Sequence, residues 1–242
     1  MASKGSMPLL TTAAANPSDS PANRSDAQLG AAPKSFLTAA LWLIAIAVAF
    51  ALDRPLAYWL CDSGIAQSIK FGGYPKNAAK LAGYFWFSLA VAIPLLIWHP
   101  LRWRAAFFML LCALVGGTNS ILKWMVGRSR PFKLPPLDLA QPFRCSPFNG
   151  GLSGLFHQSN DLSFVSGHAA LAFATATGVA ILFHKTRRIV YLVYTIAIIV
   201  LLERVGENAH WLSDAVCGAA LGVWGVALLA KCCRGLLLPG SS

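Results

Sequence analysis

Six apolar runs separated by short polar breaks dominate this chain: Ser35 to Leu52, Leu81 to Trp98, Ala105 to Leu122, Ala169 to Phe183, Ile189 to Leu202 and Ala215 to Ala230. A bilayer crossing needs about 20 mostly apolar residues at 1.5 Å rise each. In hydrocarbon every backbone polar group must be bonded within the protein, which restricts runs of this kind to helices. The runs therefore predict an all-α bundle of six transmembrane helices, the second kinked at Pro94. The last three are shorter than a full crossing unless flanking polar residues lie at membrane depth. That placement is costly unless those residues are paired or line a wet cavity, so chemistry is expected at their ends. With 56% hydrophobic and 12% charged residues and a mean hydropathy of +0.58, the chain is neither disordered nor a soluble disulfide-rich module. A net charge of +11 would suggest nucleic acid in a soluble protein. Here the bilayer explains it better, since anionic lipid surfaces attract basic juxtamembrane residues, and no nucleic-acid partner is expected.

Residues 1–34 are rich in Ala, Ser, Pro and Asn without apolar periodicity, and are expected to be a disordered tail. A cleaved signal is the rival, but its apolar stretch should follow the basic start closely, and here the tail intervenes. The domain is expected over residues 35–234, with a short C-terminal tail at 235–242. Arg102 and Arg104, then Lys185, Arg187 and Arg188, then Lys231 and Arg234 fall in alternate breaks and mark the cytoplasmic side. With Lys4, Arg24 and Lys34 this side holds 10 of the 20 basic residues. The equal remainder is spread over two long segments, so density decides the orientation.

The opposite face collects the chemistry. Lys123 and Arg130-Pro131 end the third run, Ser166-Gly167-His168 opens the fourth, and Arg204, His210 and Asp214 surround the turn after the fifth. Each piece alone has an ordinary explanation: a snorkelling pair, a helix cap, a hydrogen bond on one helix face. Together they describe a phosphate site. Lys123, Arg130 and Arg204 supply cations for non-bridging oxygens, the arginines as planar forks. Ser166 adds a hydroxyl, Gly167 lets a backbone N–H approach, and the helix start offers its positive dipole end. His210 and Asp214, four residues apart, are expected to pair so that Nδ1–H meets the carboxylate and Nε2 points its lone pair at phosphorus. His168 is expected to protonate the leaving oxygen.

These residues resemble the signature of the type 2 phosphatidic acid phosphatase (PAP2) superfamily of membrane lipid phosphatases. That signature reads Lys, six residues, Arg-Pro; then Pro-Ser-Gly-His; then Ser-Arg, five residues, His, three residues, Asp. The order and internal spacings match between Lys123 and Asp214, and the six-run layout extends the resemblance over residues 35–234. The resemblance implies metal-free hydrolysis of a phosphomonoester or diphosphate, without cofactor. The phosphoryl group would pass through a phosphohistidine on His210, held against Asp214, with His168 as acid. Lys123, Arg130, Ser166, Gly167 and Arg204 would surround the phosphate. The active site would face the non-cytoplasmic side at the ends of helices 3 to 6, in a bacterial inner membrane facing the periplasm. Two positions depart: Val165 replaces Pro, and Glu203 replaces Ser beside Arg204. Glu203 is expected either to orient the Arg204 guanidinium or to repel the anionic substrate, the first being favoured.

A site at this depth calls for an amphiphilic substrate, and four lipid classes compete: undecaprenyl diphosphate, lipid A, phosphatidylglycerol phosphate and phosphatidic acid. The segment from Phe132 to Val165, rich in Pro, Gly, Phe and Leu, is expected to rest on the membrane interface and select among them. A transporter, or a relative that binds lipid phosphate without hydrolysing it, is the competing class. The runs show no matched broken halves, and both His and the Asp are present. Cys61 and Cys145 both lie on the outer face and are the pair that a disulfide would join.

Overall fold

In a computed structural model, described over residues 32–71, 79–133, 145–148 and 162–237, the protein is all helical, with two isolated β-bridges among those residues. Helix α1 spans Ala32–Asp62, α2 Ile65–Phe71, α3 Phe85–Trp98, α4 Arg102–Gly117 and α5 Asn119–Val126. After the extended stretch that follows, α6 runs Gly167–Leu182, α7 Arg187–Gly206, α8 Leu212–Cys232 and α9 Arg234–Leu237. Short 3-10 turns at Ala79–Gly83 and Pro131–Lys133 flank the future site. The chain divides into two units, residues 1–43 and 44–242, and the packing and the site described below belong to the second. Of the expected N-terminal tail, all but the last three residues lie outside the described residues, and those three open α1. At the other end, Arg234–Leu237 forms a helical turn where the C-terminal tail was expected to begin.

Four helical stretches are long and apolar enough to cross a membrane: Leu37–Asp62, Arg102–Val126, Arg187–Gly206 and Leu212–Cys232. Two further apolar helices, Phe85–Trp98 and Gly167–Leu182, coincide with expected runs but have 14 and 16 residues, short of a full crossing. The expected third run proves to be two helices. Thr118 breaks it, donating Oγ1–H back to the Val115 carbonyl at 2.7 Å, and Asn119 Nδ2 donates to Gly116 O at 2.8 Å.

The core is built on close approach between α6 and α8. A Cβ added at Gly218 would lie 2.5 Å from Ser166 O, and one at Gly222 would lie 2.6 Å from Ala170 O and 2.7 Å from Ala174 N. Two glycines four apart thus let one backbone sit on the other, the device by which helices associate where lipid removes the hydrophobic driving force. Around this contact, Phe108 and Cys112 of α4 pack with Ala174 of α6 and Val226 of α8. Ala92 and Leu95 of α3 meet Ala105, Ala106 and Met109 of α4 and Val179 of α6. Leu60 of α1, Ala66 of α2, Val205 of α7 and Ala215 of α8 close the end that carries the motifs. Leu52, Trp59, Ile198, Leu202 and Leu228 point outward, as a lipid solvent permits.

Gly222→Ala is expected to cost about 1–3 kcal/mol, because only backbone can yield there. Gly117→Ala, whose Cβ would meet nothing within 4 Å, is expected to stabilise by roughly 0.4–1 kcal/mol. Thermal melts in detergent should place the two variants on opposite sides of the parent.

Candidate active site

The site is organised around an extended strip, Gly127 to Arg130, that leaves the end of α5. Gly127 caps α5 in the left-handed conformation at φ 63°, and a Cβ there would sit 1.9 Å from Ser146 O. Ser146 N–H donates to Gly127 O at 3.0 Å, and Ser163 N–H donates to Arg128 O at 2.7 Å. The strip is thereby pinned to the segment that follows it at two places, through bridges Arg128 to Cys145 and Ser129 to Leu162. Residues 134–144 and 149–161, where a selector segment was expected, lie outside the described residues.

Arg128, a residue that spacing had not singled out, is buried at 2% exposure in the middle of this arrangement. It donates to Asp214 Oδ1 at 2.6 Å, to Asp53 Oδ2 at 2.8 Å and to Ser213 Oγ at 2.8 Å. The rings of Trp211 and Phe50 lie 5.0 and 5.5 Å from its guanidinium carbon. Asp53 also accepts from Ser213 N–H at 2.8 Å and Oγ–H at 2.6 Å, which joins α1 to the start of α8.

Asp214 does not touch His210, contrary to the sequence expectation. The reason is local: α8 begins at Leu212 with Trp211 as its N-cap, so His210 lies before the helix and the four-residue helical spacing does not apply. From the third helical position the Asp214 carboxylate turns back to accept Trp211 N–H at 3.1 Å, besides bonding Arg128 and the Ser163 hydroxyl. His210 Nδ1 instead faces the Ser163 carbonyl at 2.9 Å. A carbonyl only accepts, so Nδ1 carries the hydrogen and Nε2 the lone pair. The expected tautomer is thus set by a backbone oxygen, and Asp214 acts on His210 at one remove, through Ser163. Burial, reinforced by the charges of Arg130, Lys123 and Arg204, holds the His210 imidazole well below its ordinary range and keeps it neutral.

The remaining motif residues come together around it. Lys123, in the last turn of α5, is buried, and it lies within electrostatic reach of Arg130, Arg204 and Asp214. Arg130 Nε donates to Leu162 O at 3.3 Å. Ser166 is the N-cap of α6 and fully buried, yet its hydroxyl makes no capping bond and no other hydrogen bond. His168 Nε2 and Arg204 Nε are likewise buried without a hydrogen-bond partner. The space expected to be spared at Gly167 is occupied by the Asn119 amide, 2.7 Å from where a Cβ would be. His168 is braced by Gly83, whose Cβ would meet its backbone at 2.8 to 2.9 Å, and by the Tyr84 ring, edge-on at 4.7 Å. Arg128, Asp53, Ser163, Asn119, Gly83 and Tyr84 were all missed from sequence, although Arg128 and Ser163 stand inside or beside the motifs.

One further expectation changes, at Arg204. Arg204 pairs with Glu207, one turn on, donating from Nη1 at 2.5 Å, whereas both oxygens of its neighbour Glu203 are buried and make no hydrogen bond. Consecutive residues on a helix diverge by about 100°, while residues three apart share a face. Cys61 and Cys145 are both free thiols. Asn208 Nδ2 donates to Cys61 Sγ at 2.9 Å, and Cys145 bridges Arg128 through its backbone.

Removing the guanidinium in Arg128→Met would leave two buried carboxylates unpaired and is expected to cost about 3–5 kcal/mol. Adding Asp53→Asn and Asp214→Asn should recover part of the loss, as read from melting in detergent; a single variant that melts like the parent contradicts the triad. At the other cation, Glu207→Gln is expected to lower kcat/KM by roughly ten- to a hundredfold, the scale of one charge-assisted hydrogen bond. Glu203→Gln should cause no loss, and steady-state phosphate release on both variants decides which acid positions Arg204.

The PAP2 superfamily model matches residues 103–236. Among curated proteins, the lipid A 1-phosphatase of Porphyromonas gingivalis is 46% identical over 66 residues, a stretch covering 25% of this chain and 14% of that protein. The chain therefore matches only a small part of that relative's length. No solved structure matches the chain.

Proposed function

Since the chain belongs to the PAP2 superfamily, we propose that it is a membrane lipid phosphatase acting through a phosphohistidine on His210. One observation carries this: Ser166 Oγ, His168 Nε2 and Arg204 Nε are buried polar atoms without partners. His168 and Arg204 lie within electrostatic reach of Lys123, Arg130 and His210, and Ser166 N–H donates to Asp214 O, which supports this reading. A buried polar group left unbonded costs free energy, and such groups mark where a ligand belongs. Hydroxyl, guanidinium and imidazole beside further cations fit the oxygens of a phosphoryl group.

In the reaction, His210 Nε2 gives its lone pair to phosphorus as the bond from phosphorus to the leaving oxygen breaks. His168 gives that oxygen its proton. Water then attacks the phospho-imidazole, surrendering a proton to His168, and inorganic phosphate leaves with His210 restored. Lys123, Arg130 and Arg204 hold the non-bridging oxygens with Ser166, and stabilise the charge as it spreads in the transition state. Gly167 serves by letting α6 start against Asn119. Asp214 is a positioning residue, holding Ser163 and, through it, the His210 tautomer. Neither metal nor cofactor enters these steps; Asp53 and Asp214 are engaged with Arg128, and Glu207 with Arg204.

The domain is residues 35–234, between tails at 1–34 and 235–242. Its six apolar helices cross the bilayer with the amino terminus in the cytoplasm and the site facing the periplasm from a bacterial inner membrane. Among undecaprenyl diphosphate, lipid A, phosphatidylglycerol phosphate and phosphatidic acid, the name of the Porphyromonas relative puts lipid A first for testing.

Phosphate release by the detergent-purified chain against these four classes is the test. At least one should be hydrolysed, His210→Ala should abolish turnover, and EDTA should change nothing. Binding without release would favour the non-catalytic alternative. Full activity in His210→Ala would overturn the phosphohistidine, and a loss in EDTA restored by a divalent ion would overturn the metal-free step.

A further inference from the structure

Beside the polar site lies an apolar cavity of about 140 Å³, walled by Ala82 and by residues of α3, α6 and α7. Its wall on α6 consists of Ala172, Thr175, Ala176 and Val179. Ala172 stands one helical turn below His168 on the same face. On the opposite wall, Ala82 precedes Gly83, which packs directly against the His168 backbone. The cavity thus begins one helical turn from the residue assigned to the leaving oxygen. Toward the lipid, its lining residues Phe87 and Val91 of α3 and Val193 and Ile196 of α7 are half-buried, so it opens sideways between those helices.

Nothing in the lining addresses a polar occupant. Its one hydroxyl side chain, Thr175, is tied to Ser88 Oγ at 2.5 Å, both groups buried. An apolar cavity of roughly 150 Å³ stays dry and accepts a hydrocarbon the size of benzene. We propose that this cavity receives the first carbons, about six, of one hydrocarbon chain of the lipid phosphate, on the leaving-group side of phosphorus. The inference rests on the phosphatase reading above and adds to it the part of the substrate that the polar residues do not hold. Headgroup and chain are then recognised on one helix, α6, by Ser166 and His168 at its start and by its small residues one to three turns on.

Two substitutions fill the cavity without touching the polar site: Ala176→Leu from the buried wall and Val193→Phe at the half-buried mouth. Each full-length variant is assayed in detergent with hexadecyl phosphate, which carries a chain, and para-nitrophenyl phosphate, which does not. The expected result is a fall in kcat/KM for hexadecyl phosphate of tenfold or more, about 1.4 kcal/mol, with para-nitrophenyl phosphate held within twofold. No loss on either substrate, or an equal loss on both, overturns the proposal. If the parent hydrolyses neither, the phosphatase reading fails separately. The cavity is then judged by photolabelling with a hexadecyl phosphate carrying a diazirine on its sixth carbon. Label in peptides 85–98 and 187–206 that free hexadecyl phosphate displaces supports the site. Label elsewhere, or label that free hexadecyl phosphate does not displace, as a bulk bilayer lipid would give, overturns it.

Discussion

A single guanidinium, that of Arg128, holds the working end of this protein together. An arginine keeps its charge wherever it is placed, and a charge removed from water must be paired and hydrogen-bonded or it is prohibitively costly. Arg128 meets that demand with carboxylates drawn from two helices far apart in the chain, Asp53 of α1 and Asp214 of α8, between two aromatic rings. Each partner then carries a second duty. Asp53 receives the backbone and hydroxyl of Ser213, and Asp214 receives Trp211 N–H and the Ser163 hydroxyl. Ser163 in turn presents its carbonyl to His210. The orientation of the proposed nucleophile descends from the ion triad through a chain of bonds, none of which His210 makes with a carboxylate.

Around that fixed base, the Glu203 carboxylate aside, bonded and unbonded polar groups divide by role. The groups that fasten one helix to another are paired: Arg128 with its acids, Trp211 Nε1 with Ser129 O, Thr175 with Ser88. Three that the motifs supply, Ser166 Oγ, His168 Nε2 and Arg204 Nε, are not. Arg204 illustrates the split within one side chain, since Glu207 fixes Nη1 and leaves the Nε edge for another partner. A low-dielectric surrounding makes such groups costly at rest and strong when an anion meets them, which is the economy of a preorganised site.

Small residues make the rest possible. Gly218 and Gly222 bring α8 against α6, so that Ser166 N–H can reach Asp214 O at 3.0 Å and the two helix starts share one site. Gly127 lets the strip that carries Arg128 and Arg130 pass beneath Ser146. Gly83 admits the backbone of His168. In the first two cases the missing side chain allows segments to approach within hydrogen-bonding range, and in the third it allows close packing.

Much of this was legible beforehand. The six apolar runs fixed the helical class, because hydrocarbon tolerates no unbonded backbone, and their positions agree with α1, α3, α4 with α5, α6, α7 and α8. The motif residues were legible too, because a phosphoryl group demands cations, a hydroxyl and an imidazole whatever the fold. What only the tertiary structure decided was which polar group each of them meets. Asp214 and His210 looked like partners by spacing, but a helix that starts between them turns the carboxylate toward Arg128 and Ser163. Glu203 looked like the partner of Arg204 by adjacency, but helical rotation gives that place to Glu207. Arg128 and Asp53 stand 75 residues apart, and no local pattern joins them. Residue type and order determine what chemistry a chain can supply, whereas hydrogen bonds act over about 3 Å, and only folding sets distances that short between segments so distant in sequence.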